Sequence, residues 1–192
     1  MRLDRHWIAM HLPHQGNMCL LDEVLAWDVR QVVCRAVSHR ARDNPLRAHG
    51  RLAAICAVEY AAQASAIHGA LQLHPVQAGI GDERAGRDGL AADASARVGL
   101  LASARAVELS VKALDQIAND LLVRVRQLHS DGHGALYAFS IEDQIAAGDG
   151  AEGRDLLVDR SLKPALVQGR LSVLLDAARA AALRHGAASH TP

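Results

Sequence analysis

The sequence predicts an α+β domain in which an antiparallel sheet curls around one apolar helix. Residues 52–71, LAAICAVEYAAQASAIHGAL, contain no Pro, are dominated by Ala, Leu and Ile, and are apolar on nearly every side, as for a helix enclosed by other structure. After it come β-like segments at 107–111 (VELSV), 121–128 (LLVRVRQL) and 135–142 (ALYAFSIE), in which apolar and polar residues alternate. Helices do not alternate with these strands, as a parallel sheet would require.

In chain order, residues 20–39 are rich in Val, lack Gly and Pro, and predict a strand pair or one long bent strand. Residues 41–50, ARDNPLRAHG, predict a loop, with Asn44-Pro45 starting a turn and Gly50 as a break. The Gly-, Asp- and Arg-rich stretch 79–96 predicts a long surface loop, SDGHG at 130–134 a turn, and 144–153 a second loop. A last strand is expected at 166–175, with Gly169 at a bulge or edge position. From Asp176, DAARAAALRHG carries a cap, helix formers and a Gly stop. The expected organisation is one domain over 1–176, then a short helix and flexible tail over 177–192.

Half of the residues are hydrophobic, yet the aromatics are only two Trp, two Tyr and one Phe, so Ala, Leu and Val must build the core. Lys and Arg total 21 against 21 Asp and Glu, which disfavours polyanion scavenging; nucleic acid is not expected as a partner. No stretch reads as a signal peptide or membrane span, and the expected location is cytoplasmic. Cys19, Cys34 and Cys56 form no CxxC pair and are expected as core residues.

Dinucleotide, P-loop, zincin and nucleophile-elbow motifs are missing, and the 11 His are scattered, so neither metal nor cofactor is expected. The informative polar residues lie in the apolar helix. Glu59 and Gln63, four apart, share a face among Cys56, Val58, Tyr60 and Ala residues. A carboxyl kept protonated there could donate to a leaving oxygen, although pairing with an Arg or solvent would also account for it. Gln63 could equally bond a neighbouring carbonyl. His49, beside Gly50 just before the helix, could act as a base near the helix-start amides, or be an exposed loop residue. His14, after Pro13, has a structural reading as well as a catalytic one. His68 is expected to pack near the helix C-terminus, where a cationic ring suits the dipole.

Two segments resemble a known family. LPHQGNMCLLDEVLAWD (12–28) is similar to the opening motif of bacterial 3-hydroxyacyl-acyl-carrier-protein dehydratases, and VEYAAQA (58–64) resembles the Glu-Ala-Met-Ala-Gln segment of their central helix. LVQGRLSVLL resembles their last strand. The resemblance implies the hotdog fold and elimination of water across C2 and C3, with a His and an acidic residue supplied by the two subunits of a dimer. It places Glu59 in the acidic position and Gln63 at the helix Gln. The family's His-Phe-Pro-Gly run is missing, and its His slot falls on Pro45. Gly50-Arg51-Leu52-Ala53 instead looks like the branch associated with aryl-polyene and xanthomonadin-type pigments. The implied site has Glu59 as acid, His49 or His14 as base, and Gln63, Gly50, Leu52 and Ala53 as substrate contacts, the last two through their amides. The implied partners are an acyl carrier protein, docked on a local cluster such as Arg40, Arg42, Arg47 and Arg51, and a second hotdog subunit, identical or paralogous. A catalytically impaired partner subunit and a hotdog thioesterase stay open as alternatives.

Overall fold

The protein is described by a computed structural model, which covers residues 3–73, 99–131, 133–144, 157 and 165–174 of the chain. Helix α1 (Arg5–His11) was not anticipated, although its signal is present: the Asp4 carboxylate accepts from the amides of His6 and Trp7, capping a turn that buries Trp7 and Ile8. Residues 20–39 contain a strand pair, β1 (Glu23–Trp27) antiparallel to β2 (Gln31–Ala36). Asp28 closes the turn between them by accepting from the amides of Arg30 and Gln31. The loop turns at Asn44-Pro45 as expected, with Asn44 bonded to the amides of Leu46 and Arg47.

The long helix begins later than its composition suggests. A 3₁₀ turn, Ala54–Cys56, precedes α2 (Ala57–Leu73). Leu52 and Ala53 are extended because the chain is pinned there: Leu114 N–H donates to Leu52 O, Ala54 N–H to Lys112 O, and Ala53 bridges Ala113. From Ala57 onward Ala61, Ala64, Tyr60, Ile67 and Leu71 are buried, which fits a helix without a polar face.

Four strands follow: β3 (Leu100–Leu109), β4 (Leu121–Ser130), β5 (Gly134–Asp143) and β6 (Val167–Leu174). All pairings are antiparallel, in the order β1-β2-β4-β5-β6-β3, and the sheet curls around α2 as in a hotdog. The strand expected at 107–111 is the end of a longer one. Among the described residues β3 has a single neighbour, β6, and it is exposed over most of its length, so residues 100–106 needed no apolar alternation. Its register shifts between Arg105 and Glu108, where Ala106 takes a φ of 49°. Four of the five aromatics, Trp7, Tyr60, Tyr137 and Phe139, are in the core. Cys19 and Cys34 are buried there too, while Cys56 is half-buried; burial raises the thiol pKa of all three.

Gly169 is directly opposite Phe139 in the β5–β6 ladder, and on its other side it falls at the irregularity of the β3–β6 ladder, between the Arg105–Arg170 and Glu108–Gln168 pairs, as a bulge position was expected to. A Cβ there would lie 2.9 Å from Phe139 Cε1 and 3.2 Å from the Arg105 carbonyl oxygen. Gly169→Ala is therefore expected to cost about 1–3 kcal/mol, read as a lower denaturant midpoint; an unchanged midpoint would mean that the Phe139 ring yields without cost. The loops expected at 79–96 and 144–153, and the C-terminal helix and tail, lie outside the described residues, apart from Gln144. Among the described residues, no helix is long and apolar enough to cross a membrane.

The arginine cluster offered for carrier docking is largely committed within the chain. Arg40 pairs with Asp120 at 2.6 Å. Arg47 and Arg51 both pair with Asp115, at 3.3 and 3.2 Å. Arg47 also donates to the carbonyls of Ala41, Gly50 and His39, riveting the loop from inside. Partial desolvation opposes ionisation of Asp115, yet the Leu52 amide and the two guanidiniums together hold its carboxyl below the ordinary value. Of the four, only Arg42 has no such tie among the described residues, so the loop offers a carrier little unspent charge.

Candidate active site

Glu59 lies in the first turn of α2, and His14 in the segment between α1 and β1. Folding brings them together: His14 Nε2 is 3.2 Å from Glu59 Oε1, with side chains 33% and 28% exposed. Both groups are thus reachable from solvent but shielded on most sides. They belong to one chain, so the expectation that the His and the acid come from different subunits does not apply to this pair.

Gln63, one turn further along α2, is fully buried. Its Nε2 donates to Glu59 Oε1 at 3.0 Å and to the Met18 carbonyl at 2.8 Å, while its Oε1 accepts from the Leu20 amide at 2.9 Å. Every polar atom of the amide is therefore used inside the protein. Gln63 does not present a hydrogen bond to a ligand; it fastens the strand-entry segment, with His14 just upstream, to the turn that carries Glu59.

A second buried network stands beside it and was not anticipated. Tyr60 OH meets Ser38 Oγ at 2.9 Å and accepts from Asn44 Nδ2 at 3.0 Å, and Ser38 Oγ donates to the Leu20 carbonyl at 2.7 Å. Two clamps, from Gln63 and from Tyr60, thus hold Leu20. The only hint in the sequence was Tyr60 itself, a hydroxyl in an Ala-rich helix that needs a partner once buried.

His49 is not brought to Glu59. It sits with Gly50 at the tip of a tight turn, where Ala48 and Arg51 exchange both backbone bonds and the φ values are 51° and 74°. His49, Gly50 and Ala53 are exposed. Leu52 is fully buried and its amide donates to Asp115 at 3.3 Å, so it is not a substrate contact; the true helix start is at Ala57.

His68 packs as expected but is not cationic. Burial lowers its pKa below the ordinary 6.5, against the opposing effect of its bond to the Asp28 carbonyl. The neutral ring donates from Nε2 to that carbonyl and accepts at Nδ1 from Tyr137 OH, 3.1 Å away, tying α2 to β5. His39, also fully buried, is lowered chiefly by burial and donates from Nε2 to the Ile117 carbonyl. Because both folded pKa values lie below the unfolded one, the unfolded chain takes up protons first as pH falls through about 6.5. Stability is full above that pH and should decline below it. Denaturant midpoints between pH 7.5 and 5 are expected to fall, and to fall less in His68→Gln; a flat profile would contradict neutral burial.

Among the described residues, no three His, Cys, Asp or Glu side chains converge as a metal would require. The Glu59–His14 pair can act instead as a proton donor and acceptor in close contact, positioned by Gln63.

No curated protein matches the chain in a sequence search. Among solved structures, it is similar to a chain of the dehydratase heterocomplex ApeI:P from Xenorhabdus doucetiae, with a TM-score of 0.59 and 22% identity over 88% of this chain and 90% of that one. That likeness confirms the fold. The family model of the ApeP-like dehydratases matches residues 7–154, which include His14, Glu59 and Gln63. The chain belongs to the ApeP-like dehydratase family, the aryl-polyene branch that Gly50-Arg51-Leu52-Ala53 resembles, within the hotdog dehydratases that its two motifs resemble.

Proposed function

We propose that this dehydratase removes water from a 3-hydroxyacyl thioester borne by an acyl carrier protein in the cytoplasm, with His14 as base and Glu59 as acid. The observation that carries the assignment of roles is the 3.2 Å approach of His14 Nε2 to Glu59 Oε1. His14 Nε2 takes the C2 proton, the C2=C3 bond forms as the C3–O bond breaks, and protonated Glu59 gives its proton to the departing hydroxyl, which leaves as water. His14 then holds the proton that Glu59 has lost, and their contact is the route by which it returns. Of the predicted thioester contacts, Gly50 and Ala53 stay accessible.

The subunit is paired in this reading. β1 is short and is met at its outer side by Leu3–Asp4, where Val24 N–H donates to Leu3 O and Asp4 bridges Glu23. β3 spans ten residues with its outer edge uncovered among the described residues, and carries exposed Leu101 and Leu109. Such an edge invites pairing with another strand. The structural relative is a heterocomplex, which favours a paralogous hotdog subunit as the occupant. The reading is tested by incubating the chain, alone and with such a subunit, with 3-hydroxyacyl-carrier protein and following the product by mass spectrometry. Loss of one water is expected. An unchanged substrate in both mixtures would reject it, and release of free carrier thiol would point to a thioesterase.

A further inference from the structure

Three arginines stand in one row across the sheet. Arg126 of β4 faces Ala138 of β5, Ala138 faces Arg170 of β6, and Arg170 faces Arg105 of β3. Their neighbours Val125, Phe139 and Leu171 are buried, so the row lies on the face turned away from α2, and all three arginines are exposed. Exposed His129, opposite Leu136, extends the basic area by one row.

Among the described residues, nothing neutralises this row. Among the described residues no carboxylate stands within ion-pair distance of Arg105, Arg126 or Arg170. Glu108, on the adjoining row, is engaged with Gln168 at 2.6 Å, and Glu142, one row further on, with Arg124 at 3.5 Å. Arg105 and Arg170 are direct cross-strand partners, and like charges so placed weaken a sheet. In a chain of zero net charge the row is a local excess.

We propose that Arg105, Arg126 and Arg170 are the docking surface for an acidic face of the acyl carrier protein, an inference that rests on the carrier-borne substrate proposed above. Three guanidiniums on fixed strand positions match a row of carboxylates, which would relieve their repulsion. A second copy of this chain would bring three more arginines to the same face and is disfavoured. Three of the four loop arginines, Arg40, Arg47 and Arg51, are already paired, as described, whereas all three arginines of this row have no carboxylate partner among the described residues.

The test compares the wild-type chain, in the oligomeric form in which it purifies, with the triple variant Arg105→Ser/Arg126→Ser/Arg170→Ser. Holo-carrier protein labelled for fluorescence anisotropy should bind the variant about tenfold or more weakly at low salt, and wild-type binding should weaken steeply as salt rises. With 3-hydroxyacyl-carrier substrate the variant should show a raised KM and unchanged kcat, and with the pantetheine thioester no change at all. Equal carrier affinity in the two proteins overturns the docking surface even if both are active. Dehydration of neither substrate by wild type rejects the function instead, while the binding comparison still decides the docking. Binding of anionic vesicles in place of the carrier would also overturn it.

Discussion

Glu59→Gln is expected to lower the turnover of the 3-hydroxyacyl thioester by roughly 10²–10⁴-fold, the usual contribution of a positioned proton donor. Gln has nearly the same shape, and its carbonyl oxygen can still accept the bond that Gln63 Nε2 now gives to Glu59. The fold and the neighbouring clamp should therefore survive, while the proton for the departing hydroxyl is gone. His14→Asn should cause a loss of similar size by removing the base. Because the two groups share one contact and one proton cycle, the double variant should be little worse than the worse single one. Water loss measured by mass spectrometry under substrate saturation checks all three proteins. Full activity in Glu59→Gln would remove Glu59 from the reaction, and losses that multiply in the double variant would mean that the two residues act separately.

Gln63→Leu is expected to cost about 2–5 kcal/mol of stability, because it leaves the Leu20 amide and the Met18 carbonyl without their partner in a closed interior. The side chain is fully buried, so water cannot simply take its place. Activity should fall as well, since the segment entering β1 would no longer be fastened to the Glu59 turn. Gln63→Glu separates the two effects: it keeps an acceptor for Leu20 but loses the donor to Met18 and sets a second carboxyl against Glu59. Denaturant unfolding and turnover measured on both variants check this. A stable, fully active Gln63→Leu protein would show that the clamp is dispensable.

Much of the fold was legible in the sequence, because β4, β5 and β6 are buried on one side only and alternate accordingly, and α2 is enclosed on nearly all sides. What escaped was structure whose stability does not come from periodic burial. Residues 100–106 of β3 are held by backbone bonds to β6 while most of their side chains are exposed, and α1 is a seven-residue turn fixed by one Asp cap and two buried residues. The start of α2 was misplaced because Ala-rich sequence favours helix at once, whereas the tertiary bridge from Ala53 to Ala113 holds the chain extended for two further residues.

At the site, Glu59 and Gln63 were visible because a carboxylate and an amide are conspicuous in apolar sequence. The choice of histidine was not. His49 is near Glu59 in sequence, but a turn with two left-handed residues directs it to the surface, and His14, far off in the chain, arrives through the long-range clamps on Met18 and Leu20. The roles of the loop arginines were equally hidden, since their carboxylate partners, Asp115 and Asp120, lie in a part of the chain with no sequence signal for contact.

The unequal treatment of the two sheet margins sets how large an assembly can become. A sheet open on both sides can add subunits without end, which is the geometry of a fibre. Here the β1 margin is short and met by Leu3–Asp4, and among the described residues only the β3 margin is long and uncovered. Among the described residues, a pairing event at β3 leaves no second long edge for a further subunit to extend.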